Sequence, residues 1–302
     1  MKVRLPRLLG FLALGASLAY LGIVAWRHAS AFPPVTWSAR AAAAVAGATG
    51  LYLIMLVAGA TAWLLLLRSV GAVAPPASVL AVCGLAQVGK YLPGNVGQYL
   101  GRAALARRYG IPLHKSALTI VFETTGLIVT AAACALLGGA GGSPASLAAP
   151  WKIVLLAALA MAAPFFLVYI LERWFPETLR KRLGVARLPR PSAVTLGGCL
   201  ALYALSFACG GLLFELLARG LFDAGTAVSW AQVVPAFALS WVAGFVTPGA
   251  PAGLGVREAL LVAGTAPLYG PGTALSTALA LRLITLLGDG LAFLAGTALR
   301  RA

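Results

Sequence analysis

Apolar runs of about 20 residues recur along this chain, the length an α-helix needs to cross the hydrocarbon core of a bilayer. Six stretches reach it: residues 8–26, 41–67, 116–137, 152–171, 192–218 and 274–298. In lipid every backbone polar group must be satisfied within its own segment, so the expectation is an all-α polytopic membrane protein. Composition agrees. Only 10% of the 302 residues are charged and 61% are hydrophobic, whereas soluble domains carry about 25% charged residues. The first run follows Lys2, Arg4 and Arg7. It exceeds the roughly 7–15 residues of a signal-peptide core and is read as an uncleaved first span.

The 23 Lys+Arg outnumber the 7 Asp+Glu. In a soluble chain that excess would suggest nucleic acid; here the basic residues sit between apolar runs, so no nucleic-acid partner is expected. Their distribution sets an orientation instead. With the N-terminus and C-terminus cytoplasmic, sixteen basic residues fall inside and only Arg27, Arg40, Lys152 and Arg219 outside. The expected location is a bacterial inner membrane, with anionic lipids as the natural partners of the basic loops. Cys83, Cys134, Cys199 and Cys209 all lie in apolar segments, and His28 and His114 are far apart. Neither set has metal-ligand or disulfide spacing. No metal and no cofactor are expected, and no loop is long enough for a soluble catalytic domain.

Two apolar stretches, Ser78–Leu92 and Ala231–Thr247, are short for a span, and each stops at a Pro-Gly pair, Pro93-Gly94 and Pro248-Gly249. Proline removes a backbone donor and disfavours helix before it, while glycine permits the turn. Both stretches read as re-entrant helical hairpins. The full expectation is six transmembrane helices plus two such hairpins. Superimposing the Pro-Gly pairs also superimposes Arg102 on Arg257, each nine residues after its proline. In the charge-derived topology one hairpin enters from each side. The expected plan is therefore an inverted repeat within a single domain, unit one about 78–137 and unit two about 231–298, with broken helices meeting near the midplane.

The residues able to bind a substrate gather around these breaks. Lys90, Pro93, Gly94, Asn95, Gln98 and Arg102 place cations and amides beside freed backbone N–H groups, an arrangement that suits an anionic headgroup. Pro248, Gly249, Gly253, Gly255, Arg257 and Glu258 do the same for the second break. There Arg257 can hold a phosphate bidentately. Adjacent helical residues point about 100° apart, so Arg257 and Glu258 are expected to have different partners. Glu123, Arg282 and Asp289 lie inside apolar spans. A charge there costs several kcal/mol and faces a partner in the bundle interior. The simplest expectation pairs Glu123 with Arg282 across the repeat axis; the alternative places both along the substrate path, with Glu123 as a proton-coupling carboxylate. Asp289, seven residues after Arg282, would extend the same polar strip. Glu215 and Arg219 read as an interfacial pair.

The segment from Gln87 to Gln98, the carboxylate at Glu123, and Pro251-Ala252-Gly253-Leu254-Gly255-Val256-Arg257-Glu258 resemble the flippase-like transmembrane region of lysylphosphatidylglycerol synthetases. The resemblance runs from about Leu8 to Ala298. It implies movement of a lipid between leaflets, and carries over Lys90, Pro93, Gly94, Glu123, Gly253, Gly255, Arg257 and Glu258 as motif positions. One departure is Pro-Ala-Gly at 251–253 in place of an expected Pro-Gly-Gly. The soluble aminoacyl-transferring domain is missing, so lysyl transfer is not implied. An aminoacyl phospholipid, a polyprenyl-phosphate sugar carrier and a hopanoid-type lipid all stay open as substrates. A membrane enzyme acting on lipid-linked sugars, and a non-transporting partner of a synthase or glycosyltransferase, are the competing classes. Self-association is also left open.

Overall fold

The computed structural model describes residues 37–91, 97–137, 191–225, 228–247 and 251–300, with scattered positions in 19–35 and 162–173. Among the described residues there is no strand. The elements are α1 (Ala39–Ser69), α2 (Pro76–Ala86) continued as a 3-10 turn over Gln87–Tyr91, α3 (Gly97–Ala106), α4 (Leu113–Leu137), α5 (Ala193–Phe222), α6 (Trp230–Val246), α7 (Val256–Tyr269) and α8 (Pro271–Leu299). The long helices α1, α4, α5 and α8 are long and apolar enough to cross a membrane. They coincide with four of the six expected spans. The expected spans 8–26 and 152–171 lie outside the fully described residues.

Helix starts are written locally. Ser38 and Ser192 cap α1 and α5, accepting from the N–H of Ala41 at 3.2 Å and of Thr195 at 3.1 Å. A capping box closes the start of α6, with Ser229 N–H donating to Gln232 at 2.9 Å. Pro76 and Pro271 occupy first-turn positions of α2 and α8, where a missing N–H costs nothing.

The order long, short, short, long occurs twice, as α1–α4 and as α5–α8. The two leading helices pack along their length, antiparallel. The start of α1 meets the end of α5, where Ala44 lies against Gly220 and Arg40 reaches Asp223 at 2.9 Å. The end of α1 meets the start of α5, where Cys199 donates to the Ala62 carbonyl at 3.5 Å.

The short helices form antiparallel pairs. A Cβ on Gly89 would meet the Gly97 carbonyl at 2.7 Å, so the backbones of the 3-10 turn and α3 nearly touch. In the second pair Gly244 of α6 lies against Gly253, and further along Ala236 lies against Gly264 of α7. Small residues permit this approach, as they do between helices in lipid generally. The pairs then cross over: α2 packs on α8, and α6 packs on α4. The first contact is tight enough that a Cβ on Gly296 would come within 2.9 Å of the Ala81 carbonyl. The Pro-Gly breaks themselves, with Pro93, Gly94, Asn95, Pro248 and Gly249, lie outside the described residues.

Candidate functional site

Where the two helix pairs meet the long helices lies a partly open cavity of about 220 Å³. Lys90, Gln98, Arg102, Glu123, Arg257 and Arg282 all line it, so six residues singled out from sequence converge on one space. A drug-sized ligand pocket is about 300–1,000 Å³. This cavity falls below that range and suits a small polar group.

One wall is aromatic. Trp241 and Phe245, one helical turn apart on α6, stack with centroids 5.4 Å apart. Tyr99 stands edge-on to Phe245 at 6.1 Å, and Phe207 edge-on to Trp241 at 5.7 Å. Charged and aromatic side chains line the same space, so the cavity is amphipathic.

The expected Glu123–Arg282 pairing does not occur. Glu123 is held by Arg102 through two parallel hydrogen bonds of 2.8 and 2.9 Å, the bidentate geometry that a guanidinium and a carboxylate favour. The Arg102 guanidinium also lies over the rings of Trp63 and Tyr99, 4.7 and 5.4 Å from their centroids. The physical reason is proximity: α3 and α4 are consecutive neighbours, so Glu123 finds its cation in its own half. Arg102 is thus committed to the protein.

Asp289, seven residues after Arg282 on the same helix, is buried like it. It receives the Tyr52 hydroxyl at 2.7 Å, the Tyr91 hydroxyl at 2.5 Å and the Lys90 ammonium at 2.5 Å. Tyr52 reaches it from α1 because Gly288 leaves no side chain beneath the ring. Glu215, which is buried, pairs with Arg219 four residues on at 2.5 Å.

The second break is arranged differently. Gly253 and Gly255 have φ of 71° and 83°, the left-handed region that glycine enters freely. Ala252, the departure noted in the sequence, shares that region at φ 51° and ψ 28°. For an alanine this costs about 1–2 kcal/mol. Its carbonyl accepts from Arg282 Nη1 at 3.1 Å, which helps to hold it there.

Glu258 turns back to accept the Gly255 N–H at 2.7 Å, capping α7, and its other oxygen lies 3.7 Å from Arg282. It is occupied away from Arg257. The Arg257 side chain instead runs across the bare faces of Gly244 and Gly253; a Cβ on Gly253 would sit 2.8 Å from its Cγ and Cδ. Among the described residues the Arg257 guanidinium has no hydrogen-bond or ion-pair partner. Arg282 adds two buried N–H groups, Nε and Nη2, without a partner among the described residues.

The charges of the site can be counted. Lys90, Arg102, Arg257 and Arg282 face three carboxylates, Glu123, Glu258 and Asp289. Three cations are matched, and the surplus positive charge is Arg257.

Sequence reading missed the tyrosines. Tyr52 was submerged in a long apolar span, where its hydroxyl was the available signal. Tyr91 stood inside the motif, directly beside Lys90.

No curated protein matches the chain. A family model does: the chain belongs to the family of the lysylphosphatidylglycerol synthase TM region, whose model matches residues 8–292.

Proposed function

We propose that this protein is a lipid flippase or transporter that passes an anionic headgroup through the central cavity while the acyl chains stay in the bilayer. One observation carries the proposal: among the described residues Arg257 has no hydrogen-bond or ion-pair partner, at a cavity whose other charged side chains are paired. A charge inside a bundle costs several kcal/mol unless partnered, so such an arginine beside a space that suits a small polar group calls for an anion. The aromatic wall supports an amphipathic ligand. That Glu123, Glu258 and Asp289 each engage a cation favours a carrier over an enzyme that needs a free acid or base.

In this reading the helix pairs α2–α3 and α6–α7 are re-entrant hairpins of an inverted repeat, in an inner-membrane protein with six spans and both termini cytoplasmic. The antiparallel run of α1 against α5 supports inversion, because these helices hold equivalent places in the two halves. Lysylphosphatidylglycerol-type aminoacyl lipids are one substrate class that the family suggests; any phosphodiester headgroup satisfies the charge count.

The test is translocation of a headgroup-labelled anionic phospholipid in proteoliposomes. Arg257→Ala removes a charge-assisted contact of about 1.5–3 kcal/mol, so the rate falls roughly 10- to 100-fold while the protein stays folded. Arg257→Lys restores part of it, keeping the charge without the fork. Unchanged transport by Arg257→Ala overturns the assignment. Labelling of Asn95→Cys and Ala250→Cys from the same face would overturn the inverted hairpins.

A further inference from the structure

The Lys90–Asp289 pair differs in kind from Arg102–Glu123. An arginine keeps its proton in any protein setting, whereas a lysine and a carboxylate can both change charge. The carboxylate is also layered differently: Asp289 is 3% exposed, and Lys90, at 17%, stands between it and the cavity.

Among the described residues, the three side chains bonded to Asp289 are all proton donors. Tyr52 comes from α1, and Tyr91 and Lys90 come from the 3-10 turn. Lys90 also donates to the Tyr52 hydroxyl at 2.9 Å and sits over both tyrosine rings, 5.5 and 5.4 Å from their centroids. From α7 and α8 the like charges of Arg257 and Arg282 act on the same ammonium.

An anion arriving at Arg257 meets the Lys90 ammonium from the open side, in competition with Asp289 behind it. Once Lys90 turns to the ligand, Asp289 is a buried carboxylate without a counter-ion, which costs several kcal/mol. Taking a proton from water removes that cost. The acid O–H then donates to a tyrosine oxygen, since a phenol accepts as well as donates.

The geometry points to Asp289 as a proton site that fills when an anionic ligand draws Lys90 off it, so that anion and proton enter the cavity together. This rests on the anion reading of the cavity. It moves the coupling role from Glu123, which Arg102 holds permanently, to a carboxylate whose partner can leave.

The experiment uses the full chain in phosphatidylcholine nanodiscs, with short-chain phosphatidylglycerol as the probe. Calorimetry reads binding, a pH indicator in weak buffer reads proton uptake, and infrared difference spectra read the protonated-carboxyl C=O stretch. The expected result is about one proton taken up per lipid bound, by linkage between the two sites. A carboxyl band should appear on binding in the wild type. It should be lost in Asp289→Asn and kept in Asp223→Asn, a substitution at the exposed end of α5. Binding without proton uptake, or a band that survives Asp289→Asn, overturns the coupling alone. Wild-type protein that binds no phosphatidylglycerol overturns the anion reading and the coupling together. Should Asp289→Asn fail to fold, the wild-type uptake and band still decide the question.

Discussion

Arg102 and Arg257 stand nine residues after their respective prolines, on the second legs of two helix pairs, and they meet opposite fates. Arg102 is clasped by Glu123 and capped by two aromatic rings. Arg257 has no partner among the described residues. One difference between them is a single position. At the offset of 155 residues that aligns the two arginines, the counterpart of Glu123 is Ala278. Ala278 is buried beside Arg257, Glu258 and Arg282 and brings no charge there. The adjacent Glu258 acts on Arg257 only from a distance, because its oxygens cap Gly255 and face Arg282. On the proposed reading, a frame used twice, with a counter-ion for the arginine in one half and none within hydrogen-bond reach in the other, separates a structural half from a binding half.

The comparison is most easily broken at the closed half. Glu123→Ala strands Arg102 as a buried charge, and thermal unfolding in detergent should show a loss of about 3–5 kcal/mol. Replacing both Arg102 and Glu123 with leucine should recover most of it. A mild effect of the single change would mean that the two halves are not differently committed.

Next in size is the change that makes the halves alike. Ala278→Glu supplies the missing carboxylate, and anionic-lipid binding should fall about tenfold or more as Arg257 acquires a partner worth about 1.5–3 kcal/mol. Ala278 is packed in the core, so melting temperature is measured beside binding; a folded variant with unaffected binding would show that Arg257 is not the deciding cation.

Gly244→Ala acts on the path of the Arg257 side chain. The added methyl displaces its aliphatic stem, an overpacking cost of about 1–3 kcal/mol. Binding should weaken more than melting temperature. The corresponding Gly89→Ala presses on backbone, and should cost stability instead. The smallest effect is expected from Ala252→Gly, which relieves left-handed strain of about 1 kcal/mol at most after the added chain entropy is counted. A rise in melting temperature with unchanged lipid affinity would place that strain in folding alone.

Much of this was legible in the chain itself. Hydropathy located α1, α4, α5 and α8 because span length is fixed by bilayer thickness, a constraint that acts on each segment separately. The spacing of Arg102 and Arg257 was legible because it is local to each break. The partners were not. Asp289 is bonded to Tyr91 from 198 residues away and to Tyr52 from 237, and no local rule pairs an aspartate in one span with hydroxyls in another. Glu123 was assigned to Arg282 on the principle that interior charges find opposite charges, which is correct. Which opposite charge depends on packing, and the neighbouring helix won. The carboxylate of Glu258 was expected to part from Arg257, and it does, because a helix start demanded it.

The crossed packing has a mechanical consequence. Each pair of short helices is seated on the long helix that closes the other half, and at Gly84 and Gly296 the backbones of α2 and α8 lie too close to slide. Neither half can tilt as an independent body. A displacement of α8, which carries Arg282 and Asp289, must carry α2 and the Lys90 turn with it. If the cavity opens to alternate sides, as the proposed transport requires, the bodies that shift are assembled from both halves, and the seam along which they part runs through the cavity.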